Sequence, residues 1–209
     1  DICGDQLVPV NLIGRNYIVM KGDIYNSVED GGERFFVTAI TNGTQVYVDG
    51  VLRTTLNAGQ IYNEQVYNPT TRVYCSNPAY VNHLSGTGGG GELGGATLPT
   101  IDGCTGSHRV TFTRNEIAAD PLRLNLMVRN ETDPTDPLHN KSVENFYLIV
   151  GNTSYHLAKN LFTFLPDSSW AYMNWNDLAV QNFFNSPAPG KIPPGTTANR
   201  SGPSRRSKP

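Results

Sequence analysis

Cys75, His83, Cys104 and His108 are residue types that hold zinc, and Cys104 and His108 lie close enough to act as a pair. A structural zinc centre takes two tight pairs. The stretch from Cys75 to His83 is too loose to supply the second, so no metal is expected. Two other readings of the thiols stay open: a disulfide, Cys75 to Cys104 or Cys3 to Cys75, or buried free thiols. With 3 cysteines in the chain, at least one has no partner within it.

Gly86-Thr87-Gly88-Gly89-Gly90-Gly91 fits the glycine pattern of a dinucleotide-binding turn. That turn works only where a helix follows and its N-terminus meets the pyrophosphate, and Pro99 and Gly103 forbid a useful helix here. No Lys-Ser or Lys-Thr follows the glycines, so they are not a phosphate loop either, and no cofactor is expected. Asp102, Glu116, Asp120 and Glu144 are carboxylates that folding could pair for glycoside chemistry, yet no spacing selects two of them. No Gly-x-Ser-x-Gly elbow places a nucleophile. Asp23, Glu29, Asp30 and Glu33 surround Gly31-Gly32 and read as a solvated loop in preference to a calcium site. The chain therefore carries no expected catalytic residue.

Aromatic side chains suit a different chemistry, because an exposed ring offers a large rigid contact area to a sugar or a protein. Tyr62, Tyr67, Tyr74, Tyr80, Trp170, Tyr172 and Trp175 are the candidates, and most alternate along strand-like runs and are expected in the core. The set expected at a ligand surface is Tyr62, Tyr67, His83, Glu92, Trp170 and Trp175.

The elements that must position these residues are strands. Among 209 residues there are 21 Gly and 14 Pro, a number of turns that implies many short elements. Arg34 to Ile40, then Asn42-Gly43, then Gln45 to Val48, then Asp49-Gly50 and Val51-Leu52 read as two consecutive hairpins, since both dipeptides favour type I′ turns. Thr54 to Tyr62 continues the meander, and Thr71 to Cys75 and Ala79 to Leu84 add strands around a turn at Pro78. Trp175 to Phe184 is the best helical candidate. Leu7-Val8-Pro9, Gly14 and Tyr17 to Met20 are echoed by Leu98-Pro99, Gly106 and Arg109 to Phe112. Phe35 to Ile40 and Val46 to Val48 are echoed by Leu122 to Val128 and Phe146 to Val150. The expected architecture is all-β and antiparallel, with two tandem related units, sandwich-like or propeller-blade-like. Its parts are a first unit 1–86, a glycine-rich loop 87–95, a second unit 96–185 and a Pro-rich, basic, largely disordered tail 186–209.

A net charge of -2 gives no field for a phosphate backbone, so nucleic acid is a poor partner. Only 16% of residues are charged. The surface is carried by Asn, Thr, Ser and Tyr, as on many extracellular β proteins. No run approaches the roughly 18 apolar residues of a membrane span. The opening Asp1-Ile2-Cys3 has no initiator Met or signal pattern, which we read as a piece of a larger secreted or cell-surface protein.

In order, the segments LVPVNLIGRNYIV, VTAITNGTQVYVDG, TTLNAGQ, CSNPAYVNHLSG, ELGGATLPTIDGCTGS and PGTTAN resemble the N-terminal domain family of IgGFc-binding proteins. The versions they most resemble belong to large bacterial surface proteins of the gliding-motility-associated type. The likeness runs over about residues 7 to 199. It implies an extracellular β-rich recognition module without catalytic residues, in proteins linked to mucus or surface adhesion. It also implies that Cys104 lacks its usual partner, since Gly91 stands where relatives carry a cysteine. The basic end after PGTTAN replaces an apolar strand, so the last strand is expected to be missing and an edge exposed. The function expected is non-enzymatic binding or adhesion, with an extracellular glycan, glycoprotein or surface protein as partner beside the other domains of the parent chain. A glycan-active enzyme domain and a ligand-free spacer are the alternatives.

Overall fold

Alternation of apolar and polar residues buries every second side chain of a strand that has one face on a core. Arg34-Phe35-Phe36-Val37-Thr38-Ala39 does this: Phe35, Val37 and Ala39 are buried, and the residues between them are half-buried. A computed structural model describes residues 8–22, 32–85, 94–103, 111–113, 124–130, 142–144, 146–150, 153–174, 178–185 and 197–199. It divides into two units, 1–105 and 106–209.

The first unit contains β1 (Asn16–Met20), β2 (Arg34–Ala39), β3 (Thr44–Val48), β4 (Val51–Leu56), β5 (Ile61–Gln65), β6 (Thr70–Cys75), β7 (Ala79–Ser85) and β8 (Gly94–Thr97). They form two four-stranded antiparallel sheets, ordered β1-β6-β3-β4 and β5-β2-β7-β8. Side chains from both sheets meet in one core: Tyr17 and Val19 of β1, Val46 and Val48 of β3 and Val73 of β6 face Phe35 and Val37 of β2 and Val81 of β7. The arrangement is a sandwich.

Two expected hairpins become one. Asp49-Gly50 has both residues at positive φ, 48° and 82°, and joins β3 to β4. At Asn42-Gly43 only the glycine does, at 73°, so this turn lacks the type I′ twist. The edges of β2 are taken by β5 and β7, and the chain crosses at residues 40–43 to the other sheet, where β3 lies between β6 and β4. The connections from β4 to β5 and from β6 to β7 cross in the same way, so the run is no meander. The turn at Pro78 lies where expected, between β6 and β7.

Cys75 ends β6 fully buried and is a free thiol. Its inward position among apolar side chains pushes the thiol pKa up to about 12 by burial. Cys3, Cys104 and His108 lie outside the described residues.

The second unit contains β9 (Thr111–Thr113), β10 (Leu126–Arg129), β11 (Tyr147–Val150), β12 (Thr153–His156), β13 (Thr163–Phe164), β14 (Trp170–Met173), α1 (Leu178–Asn185) and β15 (Thr197–Asn199). A four-stranded sheet runs β12-β11-β15-β9 and a three-stranded one β10-β14-β13. Their core joins Val128, Leu148, Ala171 and Met173 with Leu157, Phe162 and Val180 of α1. Phe146 and Phe162 pack at 5.4 Å between ring centroids. The sheet order β9-β15-β11-β12 repeats β1-β6-β3-β4 with β15 in the place of β6. The sequence echo thus corresponds to a shared topology, with β2 and β10 in the opposite sheet of each unit.

Two expected boundaries move. Residues 94–97, assigned to the loop and the second unit, are β8 and pair with β7. Asp102, beyond them, ties down β1: its carboxylate accepts hydrogen bonds from the Arg15 and Asn16 backbone N–H groups, from Asn16 Nδ2 at 2.5 Å and from the Thr100 hydroxyl at 3.1 Å. The first unit therefore continues past residue 95. Residues 197–199, assigned to the tail, are β15, inserted between β11 and β9. Counterparts of β7 and β8 are not among the described residues of the second unit.

Partial burial disfavours the charged form of Asp102, but the four donors outweigh it and hold the carboxyl below its ordinary value of 3.8. A depressed carboxylate contributes stability that is complete above the unfolded value and is lost as pH falls through the folded one. The difference in melting temperature between the native chain and Asp102→Asn is expected to be constant near neutral pH and to shrink below about pH 4. Thermal melts from pH 7 to 2.5 followed by circular dichroism check it; a difference that does not change with pH would assign Asp102 no charge-dependent role.

Candidate ligand-binding face

Cross-strand partners point to the same side of a sheet, and the register of β5-β2-β7-β8 therefore fixes two faces. The inner face holds the rows Glu64-Phe35-His83-Ala96 and Tyr62-Val37-Val81. The outer face holds Gln65-Arg34-Leu84-Gly95, Asn63-Phe36-Asn82-Thr97 and Ile61-Thr38-Tyr80.

Phe36 and Tyr80 are diagonal neighbours on the outer face, roughly 7 Å apart along such a ladder. Both are half-buried, flanked by Asn63 and Ile61, which are exposed. The polar groups are held in place by one another. Arg34 Nη1 donates to Asn63 Oδ1 at 2.5 Å, and the Thr97 hydroxyl donates to Asn82 Oδ1 at 2.8 Å. With each amide oxygen engaged, each Nδ2 group is presented as a donor. Tyr80 is steadied by its hydroxyl, which donates to the Val8 carbonyl at 2.6 Å. The face therefore combines two half-buried rings at diagonal positions with oriented amides, a composition suited to binding through side chains.

The expected ligand set is dispersed. Tyr67 reaches the rim of this face: it is 68% exposed, and its hydroxyl donates to Gln65 Oε1 at 2.7 Å. Tyr62 and His83 belong to the same strands but point to the inner side. Tyr62 packs on Phe35 with ring centroids 6.5 Å apart and donates to Glu64 Oε2 at 2.5 Å, while Arg53 bridges Glu64 from β4 at 3.2 Å. Burial, then the Glu64 hydrogen bond and charge, push the Tyr62 pKa up to about 12. His83 Nε2 lies 2.5 Å from Oε1 of Glu33, which is 1% exposed and also accepts the Gly22 N–H at 2.7 Å. Both residues lie on the inner side of the sheet, against Phe35 and Glu33. Trp170 is half-buried on the outward side of β14, opposite Arg129 and in the other unit. Glu92 and Trp175 lie outside the described residues.

The expectation that most aromatics are core is corrected. Tyr74, Tyr80, Trp170 and Tyr172 all occupy outward positions, because the inward ones beside them are taken by Val73 and Cys75, Ala79 and Val81, and Ala171 and Met173. Tyr74 packs on Tyr47 of β3 at 5.6 Å. The sequence reading missed Phe36, Asn63, Asn82 and Thr97. Alternation along Arg34 to Ile40 marks Phe36 as facing away from Phe35, but its neighbours follow only from the register.

The described carboxylates have structural partners. Glu33 meets His83, Asp49 Oδ1 accepts the Arg72 N–H at 2.8 Å, Glu64 meets Arg53 and Tyr62, Glu144 meets Lys159 at 3.1 Å and Asp167 accepts from Ser169 at 2.7 Å. Asp102 is bound to the start of β1. No group of metal-ligating residues occurs among the described residues, nor a helix long and apolar enough to cross a membrane.

A family model described as IgGFc binding protein matches residues 1–169. No curated protein and no solved structure matches the chain.

Proposed function

Because the chain belongs to the IgGFc binding protein family, we propose that it is a non-enzymatic, extracellular binding module. In this reading it engages a glycoprotein or surface protein through the outer face of the β5-β2-β7-β8 sheet. The observation that carries this is the pair of half-buried rings, Phe36 and Tyr80, at diagonal positions on that face beside the oriented amides of Asn63 and Asn82. Adhesion by a larger surface protein, of the gliding-motility-associated kind or another, would follow from many such modules acting together, since linked sites raise avidity without any new contact. Immunoglobulin Fc enters as a ligand to be tested because it stands in the family's description.

Surface plasmon resonance on immobilised mucin and immunoglobulin Fc, with product analysis of the same glycans, tests this. Saturable binding without product is expected. Phe36→Ala is expected to weaken it at least about tenfold, the cost of truncating an aromatic anchor. Product formation would overturn the non-enzymatic reading, and binding unchanged in Phe36→Ala would move the site off this face.

A further inference from the structure

We infer that the outer face of the β5-β2-β7-β8 sheet takes the carbohydrate of its partner, a short oligosaccharide laid across the strands, and not a peptide. The inference rests on the binding reading above and names its ligand class. Three observations carry it.

β2 and β7 are hydrogen-bonded on both edges within the sheet, so their backbone groups are consumed. Strand addition needs a sheet edge, which here only the end strands β5 and β8 could offer, and not the face over β2 and β7. Recognition here passes through side chains alone.

The charge on the face fits a sugar. Among its described residues there is no carboxylate, and its cation, Arg34, is turned onto Asn63. Among the described residues of the face, an acidic or basic peptide finds no counter-charge beyond that guanidinium. A polyhydroxyl ligand needs none, and an acidic sugar is tolerated.

The row Asn63-Phe36-Asn82-Thr97 also has the order a pyranose requires. The apolar face of a sugar ring stacks on an aromatic ring, while its hydroxyls point outward in the ring plane and accept from amide N–H groups on either side. Phe36 is the stacking surface, and Asn63 and Asn82 flank it on the neighbouring strands. Their amide oxygens are already engaged by Arg34 and Thr97, at 2.5 and 2.8 Å, which orients their donors. Across four strands the row spans roughly 14 Å, the reach of a short oligosaccharide, and Tyr80 extends the platform diagonally.

The test uses the full chain and the variants Asn82→Ala and Phe36→Ala, with melting curves confirming that each folds. Binding is measured on immobilised mucin before and after chemical deglycosylation, and on a panel of neutral and sialylated oligosaccharides. Binding lost on deglycosylation, recovered on the oligosaccharides and weakened about tenfold or more by Asn82→Ala is the result expected. Mucin binding that survives deglycosylation but falls in Phe36→Ala would overturn the carbohydrate assignment and keep the binding face. Binding to the oligosaccharides unaffected by either variant would place the sugar elsewhere and overturn the inference. No binding to mucin, Fc or any oligosaccharide would overturn both readings.

Discussion

Phe35→Ala is expected to cost the first unit about 3 to 5 kcal/mol, whereas Phe36→Ala, one residue along and half-buried, costs about 1 to 2 kcal/mol. The two side chains are chemically identical and differ only in which side of β2 they occupy. Phe35 is fully buried among Val37, Val81 and the inner residues of the opposite sheet, so its truncation leaves a cavity that a closely packed sandwich cannot collapse. Phe36 stands half-buried on the outer face beside Asn63 and Asn82, where water takes the place of part of the lost ring and no closed cavity is left. Urea denaturation of both variants, followed by tyrosine fluorescence and circular dichroism, measures the difference. Binding moves the opposite way: Phe36→Ala weakens the ligand, and Phe35→Ala, under conditions where it remains folded, leaves affinity close to native. Equal loss of stability in the two variants would mean that the outer face is covered and is not a ligand surface.

His83→Ala is expected to destabilise the first unit by about 3 kcal/mol or more. Glu33 is 1% exposed, and its Oε1 meets the imidazole at 2.5 Å and the Gly22 N–H at 2.7 Å. Its Oε2 is buried without a hydrogen-bond partner. Removing the imidazole leaves a carboxylate in the interior with a single backbone donor, and the desolvation of that charge is no longer offset. Adding Glu33→Gln to His83→Ala is expected to recover a large part of the loss, because an amide carries no charge to desolvate and still accepts from Gly22. Melting of the native chain, both single variants and the double variant forms a closed cycle that isolates the coupling. Additive single effects would show that the pair is a contact of convenience. His83 was expected at a ligand surface; its side chain lies on the inner side of the sheet, against Glu33.

Much of the fold is written locally. Alternation along Arg34 to Ala39, Thr44 to Val48 and Thr70 to Cys75 makes these runs strands because each must bury one face, and Asp49-Gly50 closes a hairpin because both residues accept positive φ. The spacing shared by the two halves reflects a common sheet order, and the resemblance carried by segments such as CSNPAYVNHLSG corresponds to the family whose model covers residues 1–169. What stacks on what was not local. Asn42-Gly43 looks like the same turn as Asp49-Gly50, yet it joins strands of different sheets, because the edges of β2 are filled by β5 and β7 from far along the chain. Cys75 and Tyr74 are neighbours in sequence, and only packing decides that the thiol lies in the core while the ring faces out. Gly94 to Thr97 reads as loop from composition, but pairing with β7 makes it a strand. Thr197 to Asn199 is likewise too short to form a strand alone and exists as β15 through its neighbours β11 and β9. The sequence by itself determined strand content, the turn at Asp49-Gly50 and the two-unit plan. The tertiary structure decided sandwich over propeller, and which of each strand's two faces meets the core. Strand propensity is set by a residue and its near neighbours, whereas register and sheet membership are set by long-range contacts that no local window contains.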